Sequence, residues 1–89
     1  MERYKIWIEK CVVARRVKDA FGTESAFDYL VAENLLAFAR AAERSDAVAG
    51  ELPCFIAEIH RILTPTELSV CTKRLGLADR RRIRNLLFL

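Results

Sequence analysis

Turn-forming residues are scarce in this 89-residue chain, which holds three glycines and two prolines. A β-sandwich or barrel must reverse direction far more often, so those architectures are excluded. Histidine is scarcer still: His60 stands alone, which rules out a His pair or a His-based metal cage. The mixed set Cys11, Cys54, Cys71 and His60 lacks the C-x₂₋₄-C spacing of a zinc site, and Cys54 and His60 fall on different faces of one helix. Three widely spaced cysteines predict free thiols in a reducing cytoplasm rather than a disulfide framework, each of them within or close to an apolar face. No apolar run approaches the roughly 20 residues needed to span a bilayer. The opening Met1-Glu2-Arg3-Tyr4-Lys5 has neither the apolar stretch nor the cleavage site of a secretory leader. A glycine-rich phosphate loop, a Glu-x-x-His motif and a Gly-x-Ser-x-Gly elbow are all missing. Asp28 and Glu33 are not three or four positions apart, so a helix does not align them as a carboxylate pair. No catalytic residue, cofactor site or metal site is therefore expected, and the chain does not read as an enzyme.

What is abundant is apolar side chain, at 53% of the sequence. A domain of this length buries only a little over ~60% of its unfolded surface. Surplus apolar surface is therefore expected to meet another protein, either a second copy of the chain or a partner to which it is an accessory. Residues 1–89 read as a single all-α domain, a small bundle of four to five helices completed by dimerisation.

Punctuation divides those helices. The first is predicted from Glu2 to Phe21 and stops at Gly22, which tolerates the left-handed cap conformation. Lys5, Glu9, Arg16 and Asp19 share its narrow polar arc, with Val12 among them; Trp7, Cys11, Ala14 and Phe21 lie along a second direction, and Ile6, Val13 and Val17 along a third. So wide an apolar surface suits a helix covered on more than one side. Thr23 is the expected N-cap of the second helix, whose stripe is Phe27, Leu30, Val31, Leu35, Phe38, Ala41 and Ala42. A loop is expected from Ser45 to Gly50, with Pro53 in the first turn of the third helix and Leu52, Phe55, Ile56, Ile59, Ile62 and Leu63 on its buried edge. Thr64-Pro65-Thr66-Glu67 reads as a capping box opening a fourth helix with Leu68, Cys71 and Leu75 inward. Asp79 is a candidate cap for a fifth, in which Ile83, Leu86 and Leu87 face the core.

Charge is unevenly spread. Lys73, Arg74, Arg80, Arg81, Arg82 and Arg84 surround a Leu75-Gly76-Leu77 break and are opposed only by Glu67 and Asp79, while the whole chain carries +3. These six residues are the candidate anion or nucleic-acid contacts. Residues 67–87 resemble a helix-turn-helix in outline, but Arg82 occupies the position where that unit needs its first core aliphatic after the turn. An almost purely arginine helix also offers phosphate affinity more than base readout. A helical hairpin with a solvated basic face is the simpler reading. If the fifth helix starts at Asp79, three arginines oppose the helix dipole in its first turn; a start near Leu77 removes that conflict.

Asn34 falls inside the apolar stripe of the second helix, where a buried amide can fix the register of a helix–helix interface. Trp7, Asn34 and Phe38 are accordingly the candidate interface residues. His60 is expected to hydrogen-bond at the core boundary. Aliphatic-rich helices joined through a Glu51-Leu52-Pro53 entry have the look of short bacterial proteins of unassigned role, and those residues carry no function across. The leading expectation is a cytoplasmic protein-interaction module that self-associates; the alternative is a nucleic-acid-binding regulator using Lys73 to Arg84.

Overall fold

A computed structural model describes residues 6–89, and the chain is all-α. The expected helix start at Glu2 and the Lys5 position lie outside the described residues. Helix α1 spans Ile6–Phe21. It ends at Gly22, whose φ of 98° and ψ of 178° belong to a region that a residue with a Cβ rarely enters. The chain then re-enters helix at once. Helix α2 covers residues 23–42 in three stretches, Thr23–Phe27, Asp28–Leu35 and Leu36–Ala42, of which the middle one is π-helical.

That wider winding has a reason in the sequence. The buried residues of α2 come in pairs, Ala26–Phe27, Leu30–Val31 and Leu35–Leu36, followed by Ala39. The step from Leu30–Val31 to Leu35–Leu36 is five positions, which an i→i+5 helix keeps on one face. A 3.6-residue winding would rotate Leu36 off the core, so Leu36 and Ala39 escape a stripe drawn at that period. Ala41, placed on the stripe by that same period, is exposed.

Helix α3 spans Asp46–Ile62. The expected loop from Ser45 to Gly50 is thus mostly helix: the hydroxyl of Ser45 accepts from the Val48 amide at 3.4 Å and starts the helix there. Pro53 consequently lies in the helix interior rather than in its first turn. It cannot donate to the Ala49 carbonyl, and because Ala49 is exposed, water can serve that oxygen. Helix α4, Pro65–Thr72, begins with the predicted capping box. Helix α5, Leu77–Leu87, is separate from α4 and begins at Gly76, so Asp79 sits inside its first turn and does not cap it.

Phe27, Leu30, Val31, Leu35, Phe55, Ile59, Leu63, Leu68, Ile83 and Leu87 form one buried cluster with Cys11 and Ala14 of α1. Phe21, expected along the same direction as Cys11 and Ala14, is 76% exposed at the last position of α1, where those two are buried.

The junction of α1, α2 and α4 is held by one carboxylate. Glu67 accepts from its own N-cap amide, Thr64, at 2.8 Å, while its amide donates to the Thr64 hydroxyl at 3.1 Å. Lys18 of α1 reaches the same carboxylate at 3.2 Å and also donates to the Ile62 carbonyl at 2.8 Å. The Thr23 hydroxyl donates to Glu67 at 3.0 Å. This explains why Thr23 does not cap α2: its side chain is engaged across the bundle, and Gly22 holds the cap position. The Thr64 hydrogen bond, then Lys18 and Thr23, draw the Glu67 carboxyl down from its ordinary 4.5 to about 2.

Candidate functional site

The six basic residues do not form one free surface. Arg74, at the end of α4, pairs with Glu24 at 3.3 Å and Asp28 at 3.4 Å on α2. Arg82 pairs with Glu43 at the end of α2, although Glu43 has Arg40 and Arg44 close by on its own helix. Both cations therefore tie the C-terminal hairpin to α2. Arg80 and Arg82 are half-buried and their Nε atoms lack a hydrogen-bond partner. Lys73, Arg81 and Arg84 are exposed, and among the described residues they make no ion pair. Since α5 starts at Leu77, the arginines stand beyond its first three positions, where the dipole penalty has largely faded.

Trp7 and Phe38 meet on a third ring that sequence reasoning placed only on a buried edge. Trp7 stacks on Phe55 at 6.0 Å between centroids, and Phe38 meets the other side of Phe55 edge-on at 5.2 Å. The Trp7 indole N–H donates to Glu51 at 3.0 Å. Both rings are half-buried and packed against the core. Asn34 stands apart from them, and its amide donates to the Tyr29 carbonyl of its own helix at 2.6 Å. That bond satisfies the polar group locally, inside the π-helical stretch.

The thiols and the imidazole are dispersed. Cys11 and Cys71 are buried; burial pushes the Cys11 thiol up to about 11, with nearby Glu58 adding to the effect, and raises Cys71 in the same direction. Cys54 is exposed, contrary to the expectation that each thiol lies within or close to an apolar face, because it stands about 100° round α3 from the buried Phe55. The His60 Nε2 lies 2.9 Å from the Leu87 carbonyl and joins α3 to the end of α5, at the edge of the core as predicted. Among the described residues no three His, Cys, Asp or Glu side chains come together as a metal site.

Two apolar surfaces are left uncovered. On α1, Ile6, Ile8, Val12 and Val13 are 52%, 44%, 43% and 39% exposed. Ile8 and Val12 border a shallow hollow of about 250 Å³ that reaches Arg15 and Glu58. The second surface is a groove of about 370 Å³ along α3, lined by Ala49, Leu52, Pro53, Ile56, Ala57 and His60 and closed at one end by Phe88. Phe88 holds φ 59° and ψ 42°, a left-handed conformation uncommon for a bulky residue, and its ring is 84% exposed. Sequence reasoning missed the groove, since Leu52 and Ile56 were assigned to the buried edge and Pro53 to the start of the helix. The available signal was the width of the apolar arc on α3, which exceeds what one neighbouring helix covers. No protein-family model matches the chain, and no curated protein or solved structure matches it.

Proposed function

We propose that the protein acts through protein–protein contact and pairs with a second copy of itself along the outer side of α1. The observation that carries the reading is the pair of half-exposed aliphatics Ile8 and Val12, one turn apart on α1 beside the hollow that Trp7 also lines; Ile6 and Val13 lie across the polar arc from them. Burying Ile8 and Val12 of both copies is worth roughly 6–8 kcal/mol at ~25 cal/mol per Å². That falls within the ~4–15 kcal/mol cost of association and does not clearly exceed it. The dimer is therefore weak and dependent on concentration. Its broad faces suit such pairing: the molecule is a slab of 33 × 28 × 16 Å. The role is non-enzymatic, supported by a histidine engaged with a backbone carbonyl and two thiols held in their protonated form. Three free thiols support a reducing compartment, the cytoplasm. Among the described residues no helix is long and apolar enough to cross a membrane.

Light scattering over a dilution series tests the proposal. The average mass is expected to rise towards twice 10.2 kDa as concentration increases, and the double change Ile8→Lys, Val12→Lys is expected to hold it at the monomer. A wild-type mass that stays monomeric into the millimolar range contradicts it.

The second reading, nucleic-acid contact, is favoured by Lys73, Arg81 and Arg84, which are exposed and unpaired among the described residues. With Arg80 they offer four cations to phosphate, so duplex binding would weaken with a log–log salt slope no steeper than about −3.6. Lack of retention on duplex DNA at low salt removes it.

A further inference from the structure

We propose that the groove on α3 and the outer stripe of α5 together receive an acidic amphipathic helix from a partner protein. This surface is distinct from the α1 face, and the proposal stands whether or not α1 pairs with a second copy. The groove supplies the apolar part: about 370 Å³ between Leu52, Pro53, Ile56 and Phe88, with His60 as its single polar side chain and that ring already engaged at Leu87. Such a trough suits two or three aliphatic side chains spaced at i, i+3 or i+4 and i+7 along a helix.

Charge complementarity selects the partner's sign. Leu77, Arg81 and Arg84 follow one another at i, i+4 and i+7 along the outer side of α5, and Phe88 stands just past its end. All four are exposed, Leu77 at 57% and Phe88 at 84%. Arg84 lies one turn, about 6 Å, from Phe88 along the helix axis, and Arg81 about 10 Å. Unlike Arg74 and Arg82, these two arginines make no ion pair among the described residues. An apolar trough that ends at Phe88, just past a helix carrying unpaired guanidinium groups, complements a helix with leucine on one face and carboxylates flanking it. Arginine and aromatic residues are also the side chains that dominate interface energetics.

Phe88 adds an independent observation. It occupies the position after the helix where glycine is favoured, with the Leu89 amide closing back onto the Arg84 carbonyl at 2.9 Å. Neither backbone preference nor burial accounts for a phenyl ring there. A ligand that covers the ring does.

The test uses the intact protein and a synthetic helix-forming peptide of about 16 residues, with leucines every third or fourth position and glutamates on the flanks. Binding is expected by fluorescence anisotropy, with amide shifts confined to Ala57, His60, Arg84 and Phe88. The same peptide with lysine in place of glutamate is expected to bind at least about tenfold more weakly, and Arg84→Glu and Phe88→Ala each to lose about tenfold. Phe88→Gly separates function from folding: it is expected to raise the melting temperature by a few degrees while losing the same affinity. Any of the following results overturns the proposal. The glutamate and lysine peptides bind equally, or the glutamate peptide does not bind at about 1 mM. The shifts fall on α1. The protein binds phosphatidylglycerol vesicles or duplex DNA more tightly than the peptide, through the same residues. Phe88→Ala converts a wild-type dimer to monomer, which gives the groove to a second copy.

Discussion

The two flanks of helix α3 share one amphipathic sequence and meet opposite fates. The flank towards α1 is tied at every turn: Glu51 to the Trp7 indole, Phe55 between two rings, Glu58 to Arg15, and the Ile62 carbonyl to Lys18. The flank through Ala49, Pro53 and Ala57 borders an open groove, where the exposed Phe88 and one histidine bond reach α3. Polar side chains mark the difference. Where α3 packs inside the chain, a carboxylate or carbonyl at the rim receives a donor from α1; where it is open, the rim residues are small and uncharged.

The largest break in the tied flank comes from its central ring. Phe55→Ala removes the partner of both Trp7 and Phe38 and is expected to cost about 3–5 kcal/mol in urea unfolding, together with a loss of near-ultraviolet tryptophan signal. A loss below about 1 kcal/mol would show that the stack is dispensable. On the open flank the sign reverses. Pro53→Ala restores an amide to the Ala49 carbonyl at an exposed position, and a gain of about 1–3 kcal/mol is expected. A destabilised variant would mean that the proline ring packs where the groove is drawn.

Glu67→Gln sharpens the same contrast through pH. Because the folded-state carboxyl titrates near 2 instead of its ordinary 4.5, the charged form contributes stability that is complete above about 4.5 and lost as pH falls towards 2. The variant is expected to lose about 1–2 kcal/mol at pH 7, since solvent screens part of the interaction, and to show a flatter acid limb between those values. Parallel acid limbs would assign the acid sensitivity elsewhere.

The smallest effect in energy is the clearest in kinetics. Cys54 on the open side is expected to react with iodoacetamide first, with Cys11 and Cys71 protected by burial and by thiols that stay protonated at neutral pH. Rapid labelling of Cys11 would mean that α1 opens from the bundle.

The all-α class, the stop at Gly22 and the Thr64–Glu67 capping box were legible because each rests on a local rule. The core residues of α4 and α5 were legible for the same reason. The start of α3 was not: Gly50 and Pro53 outweigh Ser45 in any local reading, yet a helix held by Phe55, Ile59 and Ile62 absorbs both. Thr23 illustrates another limit, since its better partner is 44 residues away. The basic cluster looked uniform along the chain, and only tertiary placement separates Arg74 and Arg82, tied to α2, from Arg81 and Arg84. The π-helical step that brings Leu35 and Leu36 onto the face of Leu30 and Val31 lies beyond a search at a single helical period.

The central claim is that α1 and the α3 groove are separate binding surfaces, the first for a second copy and the second for another protein. Amide chemical shifts followed on dilution of the isolated protein test it most directly. Movement confined to residues 6–13, with Ala49, Ala57 and Phe88 unchanged, is the predicted result. Dilution shifts centred on Ala57 and Phe88, with α1 silent, would contradict it.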